Sequence, residues 1–187
     1  MEDIIKGAIN RHKAALTFLE TNTNIILDIA KLFISTLEKN GKIIFMGNGG
    51  SASDALHLSA EFVGRFKKNR KPLEAISLST NIPTITAIGN DFGFEYIFSR
   101  QIRAIAKEND LVIGISTSGN SKNIINAIKE AKSMNIKTIG FLGKDGGLLK
   151  DIVDLALIIP SNDTATIQEM HILVGHIICE IIDERFS

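Results

Sequence analysis

Five short apolar runs, at residues 42–46, 74–78, 110–115, 137–142 and 155–159, are separated by segments long enough to form helices. Strands joined by helix-length connections pair in parallel, because a crossover over the face of a sheet needs a dozen or more residues whereas an antiparallel turn needs about two. The pattern therefore predicts an α/β fold with a five-stranded parallel sheet flanked by helices. Before it, the apolar residues between 4 and 37 recur at helical spacing, and the polar stretch Asn22 to Asn24 breaks them into a helical hairpin over 1–40. After it, residues 164–185 form a long helix, apolar on most of its circumference through Ile167, Met170, Ile172, Leu173, Val174, Ile177, Ile178, Ile181 and Ile182. A helix of that kind is buried on nearly every side, which one small domain struggles to provide. The reading is a single domain, 1–187, whose hairpin and last helix pack between copies in an oligomer.

A chain of 187 residues with 44% apolar side chains is long enough for one substantial core and short for two. Lys and Arg number 21, as do Asp and Glu, so the net field gives no reason to expect nucleic acid or an anionic membrane as partner. A charged ligand must be met locally. The one cysteine, Cys179, sits in an apolar run, which suits a reducing, cytoplasmic setting and a small buried hydrophobe. Met1-Glu2-Asp3 is acidic where a secretory signal is basic, and no apolar stretch approaches the ~18 residues of a membrane span.

Ligands of open parallel sheets bind beyond the carboxyl ends of the strands. Three of those ends are followed by Gly47-Asn48-Gly49-Gly50-Ser51, by Ser116-Thr117-Ser118-Gly119-Asn120-Ser121 and by Gly143-Lys144-Asp145-Gly146-Gly147. The second loop opens a helix near 123–134 and combines four hydroxyls, a glycine and a helix N-terminus, a set that holds a phosphate without a lysine. Helix capping alone would account for one such residue, and here there are five in six positions. The first loop formally matches GxGxxA, but the second strand ends Ser77-Leu78-Ser79-Thr80, without the carboxylate that holds a ribose, and the GK[ST] of a nucleotide P-loop is missing. It reads as a loop that lets a small polar substrate lie against backbone.

Asp54, His57 and Glu61 follow at spacings of three and four, on one face of a helix whose other positions are apolar. His57 and Glu61 can grip one ion. On the last helix Gln168, His171 and His176 interrupt the apolar surface, and each needs a polar partner. Spacing alone favours the pair Gln168 and His171, since Gln168 and His176 are ~12 Å apart along a helix. His12 has no polar companion at helical spacing and reads as an ordinary surface histidine.

The segments GNGGSASDALHLSAEF, AIGNDFGFEYIFSRQ, GISTSGNSKN, GKDGG and TIQEMHILVGHI together resemble the bacterial phosphoheptose isomerases of the sugar isomerase (SIS) superfamily, over essentially the whole chain. The resemblance implies a flavodoxin-like sheet, a homotetramer, and conversion of sedoheptulose 7-phosphate to D-glycero-D-manno-heptose 7-phosphate, a precursor of lipopolysaccharide or capsule. It implies one zinc ion per subunit on His57, Glu61, Gln168 and His176, with Glu61 and His176 as the catalytic pair. Substrate would be held by Asn48, Gly49, Gly50, Ser51, Glu61, Asn90, Asp91, Ser116, Thr117, Ser118, Ser121 and Gln168. The family thus prefers His176 where spacing prefers His171, which calls either for a frayed first turn around Gln168 or for a site shared between subunits. A related non-enzymatic SIS protein, which associates with the replication initiator, lacks the acid at the position of Glu61 and the histidine at that of His176. This sequence has both. An isomerase of a shorter sugar phosphate is the nearest enzymatic rival.

Overall fold

The computed structural model describes residues 1–187. Two helices come first, α1 (Glu2–Thr21) and α2 (Thr23–Glu38). Glu2 and Asp3 in the first turn of α1 complement its dipole, and the Asn22 side chain donates to the Phe18 carbonyl where the chain turns back. Then follow β1 (Ile43–Gly47), α3 (Gly50–Val63), β2 (Ala75–Ser77), α4 (Ile82–Phe92), α5 (Ser99–Ile105), β3 (Leu111–Ser116), α6 (Lys122–Ser133), β4 (Lys137–Gly143), β5 (Leu155–Ile159) and α7 (Thr164–Phe186). Each expected strand is present, displaced by a residue or so at its ends.

The strand order is β2-β1-β3-β4-β5 and every pairing is parallel. Alternate residues of the central strands feed two cores. Ile43 and Phe45 face α2, α3 and α7, where Phe33, Phe45 and Phe62 pack ring against ring. Ile44 and Met46 face α5 and α6 with Ile102, Ile124 and Ile128. The chain leaves β1 to one side for β2 and to the other for β3, so a crevice opens beyond the carboxyl ends of β1 and β3.

One expectation needs correction. The last helix carries an 18-residue window of mean hydropathy 1.3, so by length and composition it does reach the measure of a membrane span, although half of that window is buried within the fold. Within the chain α1, α2 and α3 pack along α7, and Ile172, Leu173 and Ile177 stay partly buried.

The stretch between β2 and β3 folds into more pieces than periodicity resolves. Asn81 caps α4 by accepting from the Thr84 amide, Pro83 sits in its first turn, and Gly93, at φ +106°, ends it. A single 3-10 turn at Phe94–Tyr96 leads on to α5. None of the residues of α4 is buried.

Candidate active site

The loop after β3 is built from its own hydrogen bonds. Ser121 stands at the N-cap of α6, yet its hydroxyl lies 3.0 Å from that of buried Ser116 and bonds no helix amide. Capping is therefore not what occupies this serine. Gly119 takes φ +66°, and a Cβ there would collide with the Gly146 carbonyl. The third glycine loop thus braces the second: the Leu149 amide donates to the Gly119 carbonyl at 3.0 Å, and the Leu148 amide to Asn120 Oδ1 at 3.0 Å. Thr117 and Ser118 complete the turn, half-buried, with Ser118 Oγ accepting from the Asn120 amide. The product is a polar, hydroxyl-rich loop at a helix N-terminus, a setting that suits an anion.

Across the crevice, Asn48 exchanges two amide hydrogen bonds with Asn123, at 2.9 and 2.7 Å, and so ties the loop after β1 to the first turn of α6. Asn123 is 2% exposed and escaped the sequence reading, though an asparagine just inside a helix that opens from a polar loop was a usable signal. Gly49 and Gly50 lead into α3, with Ser51 buried in its first turn. A Cβ on Gly50 would strike the Gln168 amide, so glycine lets α7 reach the start of α3. Gln168 donates from Nε2 to Asp54 Oδ1 at 3.2 Å. The other Asp54 oxygen is buried without a partner, and burial raises its carboxyl pKa against the opposing pull of Gln168 and His57.

Further along the seam between α3 and α7, His57 and His176 bring their Nε2 atoms to 2.9 Å, and His57 Nε2 lies 3.4 Å from Glu61 Oε1. The Phe66 ring stacks on His176 with centroids 5.2 Å apart. Burial, then the neighbouring His57, push the His176 imidazole below the ordinary histidine range, with Glu61 opposing and Lys67 adding to the fall. Two imidazole nitrogens and a carboxylate oxygen are a donor set that suits zinc. Three His, Cys, Asp or Glu side chains do not close around one point in the single chain, and Gln168 is turned to Asp54. The helix around Gln168 is not frayed, since Asp163 Oδ2 accepts from both the amide and the hydroxyl of Thr166. The ~12 Å rise between Gln168 and His176 therefore stands.

The remaining residues lie elsewhere. Asn90 and Asp91 are exposed on α4, where the Asn90 amide donates to its neighbour at 2.8 Å, and no side-chain hydrogen bond joins them to the two loops. His171 belongs to the core: it is 1% exposed and its Nε2 bonds the Leu142 carbonyl. His12 is not an unpartnered surface residue, because Nδ1 meets the Ala8 carbonyl and Nε2 faces the Glu169 carboxylate of α7.

The sequence matches the SIS domain family over residues 9–143. It is 50% identical to a phosphoheptose isomerase of Helicobacter pylori over 188 residues, covering 100% of this chain and 98% of that one. A phosphoheptose isomerase of a Nitratiruptor species is 56% identical over 186 residues, the whole of both chains. Among solved structures, a phosphoheptose isomerase from Neisseria gonorrhoeae superimposes with a TM-score of 0.92 at 38% identity, over 98% of each chain.

Proposed function

We infer that the chain, which belongs to the phosphoheptose isomerases of the SIS domain family, interconverts sedoheptulose 7-phosphate and D-glycero-D-manno-heptose 7-phosphate at the start of heptose precursor synthesis. The single observation that carries the chemistry is the contact of His57 with both Glu61 and His176 on the seam between α3 and α7. Full-length likeness to named isomerases speaks for this reading over a purely regulatory SIS protein.

Moving a carbonyl from C2 to C1 removes a proton from C1 and returns one to C2 through an enediol or enediolate, so it needs a base at carbon and a proton carrier at oxygen. Glu61 takes the carbon-bound proton. His176 opens the sugar ring and moves protons between the oxygens, a task served by an imidazole whose lowered pKa keeps it neutral at pH 7. Ser116, Thr117, Ser118 and Ser121 hold the phosphate. Asn48, Gly49, Gly50, Ser51, Asn90, Asp91 and Gln168 hold the hydroxyl-bearing chain. One zinc ion per subunit on His57, Glu61, Gln168 and His176 would supply positive charge at the carbonyl oxygen. Serving as ligand and base at once would blunt the carboxylate, so Glu61 would either commit only one oxygen to the ion or loosen from it.

The separation of Gln168 from His176 and the isolation of Asn90 and Asp91 support a site completed between copies in a homotetramer, with the hairpin 1–40 in the packing of one SIS domain, 1–187, on another. The exposed Ile4, Ile5 and Ile9 of α1 suit that role. The enzyme would work in the cytoplasm and supply heptose for lipopolysaccharide or capsule.

The test is isomerisation of sedoheptulose 7-phosphate by purified protein, before and after chelation and with zinc restored. Glu61→Gln should lower kcat by at least ~1,000-fold while leaving the fold and phosphate binding intact. Activity within tenfold of the parent would remove Glu61 as the base. Metal-independent turnover would remove zinc.

A further inference from the structure

The segment between α3 and β2 holds a buried ion pair that touches neither substrate loop. Arg70 and Asp183 are each 1% exposed at the side chain, and Arg70 Nε donates to Asp183 Oδ1 at 2.8 Å. Although burial works against the Asp183 charge, the Lys68 and Lys67 amides and the Arg70 guanidinium hold its carboxyl below the usual range. Replacing such a pair with apolar residues is often neutral or stabilising, so stability alone is a weak reason for it. What a guanidinium fork does better than an apolar side chain is to fix several backbone groups at once.

That is how this one is used. Helix α3 ends at Val63, which leaves its last carbonyls without helical partners. Arg70 Nη2 donates to the carbonyl of Glu61 and Nη1 to that of Phe62, each at 2.8 Å. On the other side, Asp183 Oδ2 accepts from the amides of Lys67 and Lys68 at 2.6 and 2.8 Å. These bonds pin the chain just after Phe66, the residue whose ring stacks on His176. Asp183 itself lies on α7, two turns beyond His176. One ion pair thus holds the backbone of Glu61, the ring that backs His176, and the helix that carries His176. The exposed pairs Lys67–Glu180 and Lys68–Glu184 span the same gap, but pairs of that kind contribute little and are screened by salt.

We propose that Arg70 and Asp183 are positioning residues for the isomerisation, setting the separation of Glu61 and His176 across the α3–α7 seam. The inference rests on the acid–base roles proposed for those two residues. It requires that loosening the clamp lower kcat and spare KM, because the phosphate loop is built on β3, α6 and β4, away from it.

Steady-state kinetics on sedoheptulose 7-phosphate would compare the parent, Arg70→Lys, Asp183→Asn, Phe66→Leu and Glu61→Gln, each assayed well below its own melting temperature. A displacement of about 1 Å at a reacting group costs on the order of 100-fold. Arg70→Lys keeps the charge and loses the fork, and should lower kcat by ~10- to 100-fold with KM within about threefold. Phe66→Leu leaves the clamp whole and removes only the stacking, and should lower kcat by about fivefold. If Arg70→Lys does not fold, Asp183→Asn, which still accepts from Arg70, carries the same expectation. A lower melting temperature with kcat within twofold of the parent would overturn the inference and leave a merely structural pair. An inactive Glu61→Gln beside an unaffected Arg70→Lys overturns the inference alone. An active Glu61→Gln overturns the acid–base reading and the inference together.

Discussion

The loop over residues 116–121 and the helix α4 are built in opposite ways. The loop is finished by its own chain: Ser116 meets Ser121, Asn120 spans to the next loop, and Gly119 is packed against Gly146. In contrast, α4 reads Ile-Pro-Thr-Ile-Thr-Ala-Ile-Gly-Asn-Asp-Phe, yet Ile82 is 68% exposed, Phe92 is 50% exposed and no residue of the helix is buried. The ordering of the loop is completed on folding, so little of it would remain to be met if it binds the phosphate as proposed. The end that carries Asn90 and Asp91 leaves its apolar side exposed in the single chain.

The sharpest way to break that contrast is to disorder the finished end. Gly119→Ala asks for a left-handed residue with a Cβ in collision with the Gly146 carbonyl, a combination that costs on the order of 1–3 kcal/mol in backbone strain alone. It should lower kcat/KM by about 100-fold, mainly through KM, and lower the melting temperature as well. Inorganic phosphate binding measured by calorimetry should weaken in parallel. An unchanged phosphate affinity would mean that the loop is not the anion site.

The unfinished end should respond differently. Ile82→Glu puts a charge where this chain has only solvent, so folding of the subunit should be untouched. If α4 is covered by another copy, the variant should lose about tenfold in activity, and sedimentation should show smaller assemblies, because an unpaired charge buried at an interface is costly. Parent-like size and rate would leave α4 as plain surface. Ser116→Ala is milder, removing one hydroxyl from a set of four, and should raise KM by about fivefold at constant kcat, with a small fall in melting temperature from the lost bond to Ser121.

The same contrast governs what was legible beforehand. Continuous apolar runs announced β1, β3 and β4 because those strands are buried on both faces, and a hydroxyl-rich loop between a strand and a helix can be recognised without coordinates. His57 and Glu61 were within reach because helical spacing is fixed. Contacts between segments far apart in sequence were not. Nothing in the local pattern pairs Arg70 with Asp183, 113 residues on, or His12 with Glu169, and spacing weighed His171 above His176 although only the fold tells a core histidine from one on the seam. The pieces of 82–105 blurred because α4 is apolar without being buried, which defeats a reading that takes apolar to mean inside.

His171 fastens α7 to the end of β4 just below the third glycine loop. Its Nε2 bonds the Leu142 carbonyl, which requires the proton on that nitrogen, and Nδ1 is buried with no partner. A second proton would charge the ring and give it a donor without an acceptor. Burial therefore pushes its pKa down from 6.5 to about 4, with the Leu142 carbonyl opposing. The unfolded chain takes up a proton near pH 6.5 that the folded chain refuses, so stability is complete above that pH and is lost as pH falls toward 4. Between pH 7 and 5 the loss from this residue should be about 2 kcal/mol, or ~4–8 °C in melting temperature for a chain of this size. His171→Gln should be less stable at pH 7 but should fall by that much less on going to pH 5. Parallel pH curves for the two proteins would mean that the ring is protonated in the folded state, and that the junction beneath the loop opens to water while the loop above it stays closed.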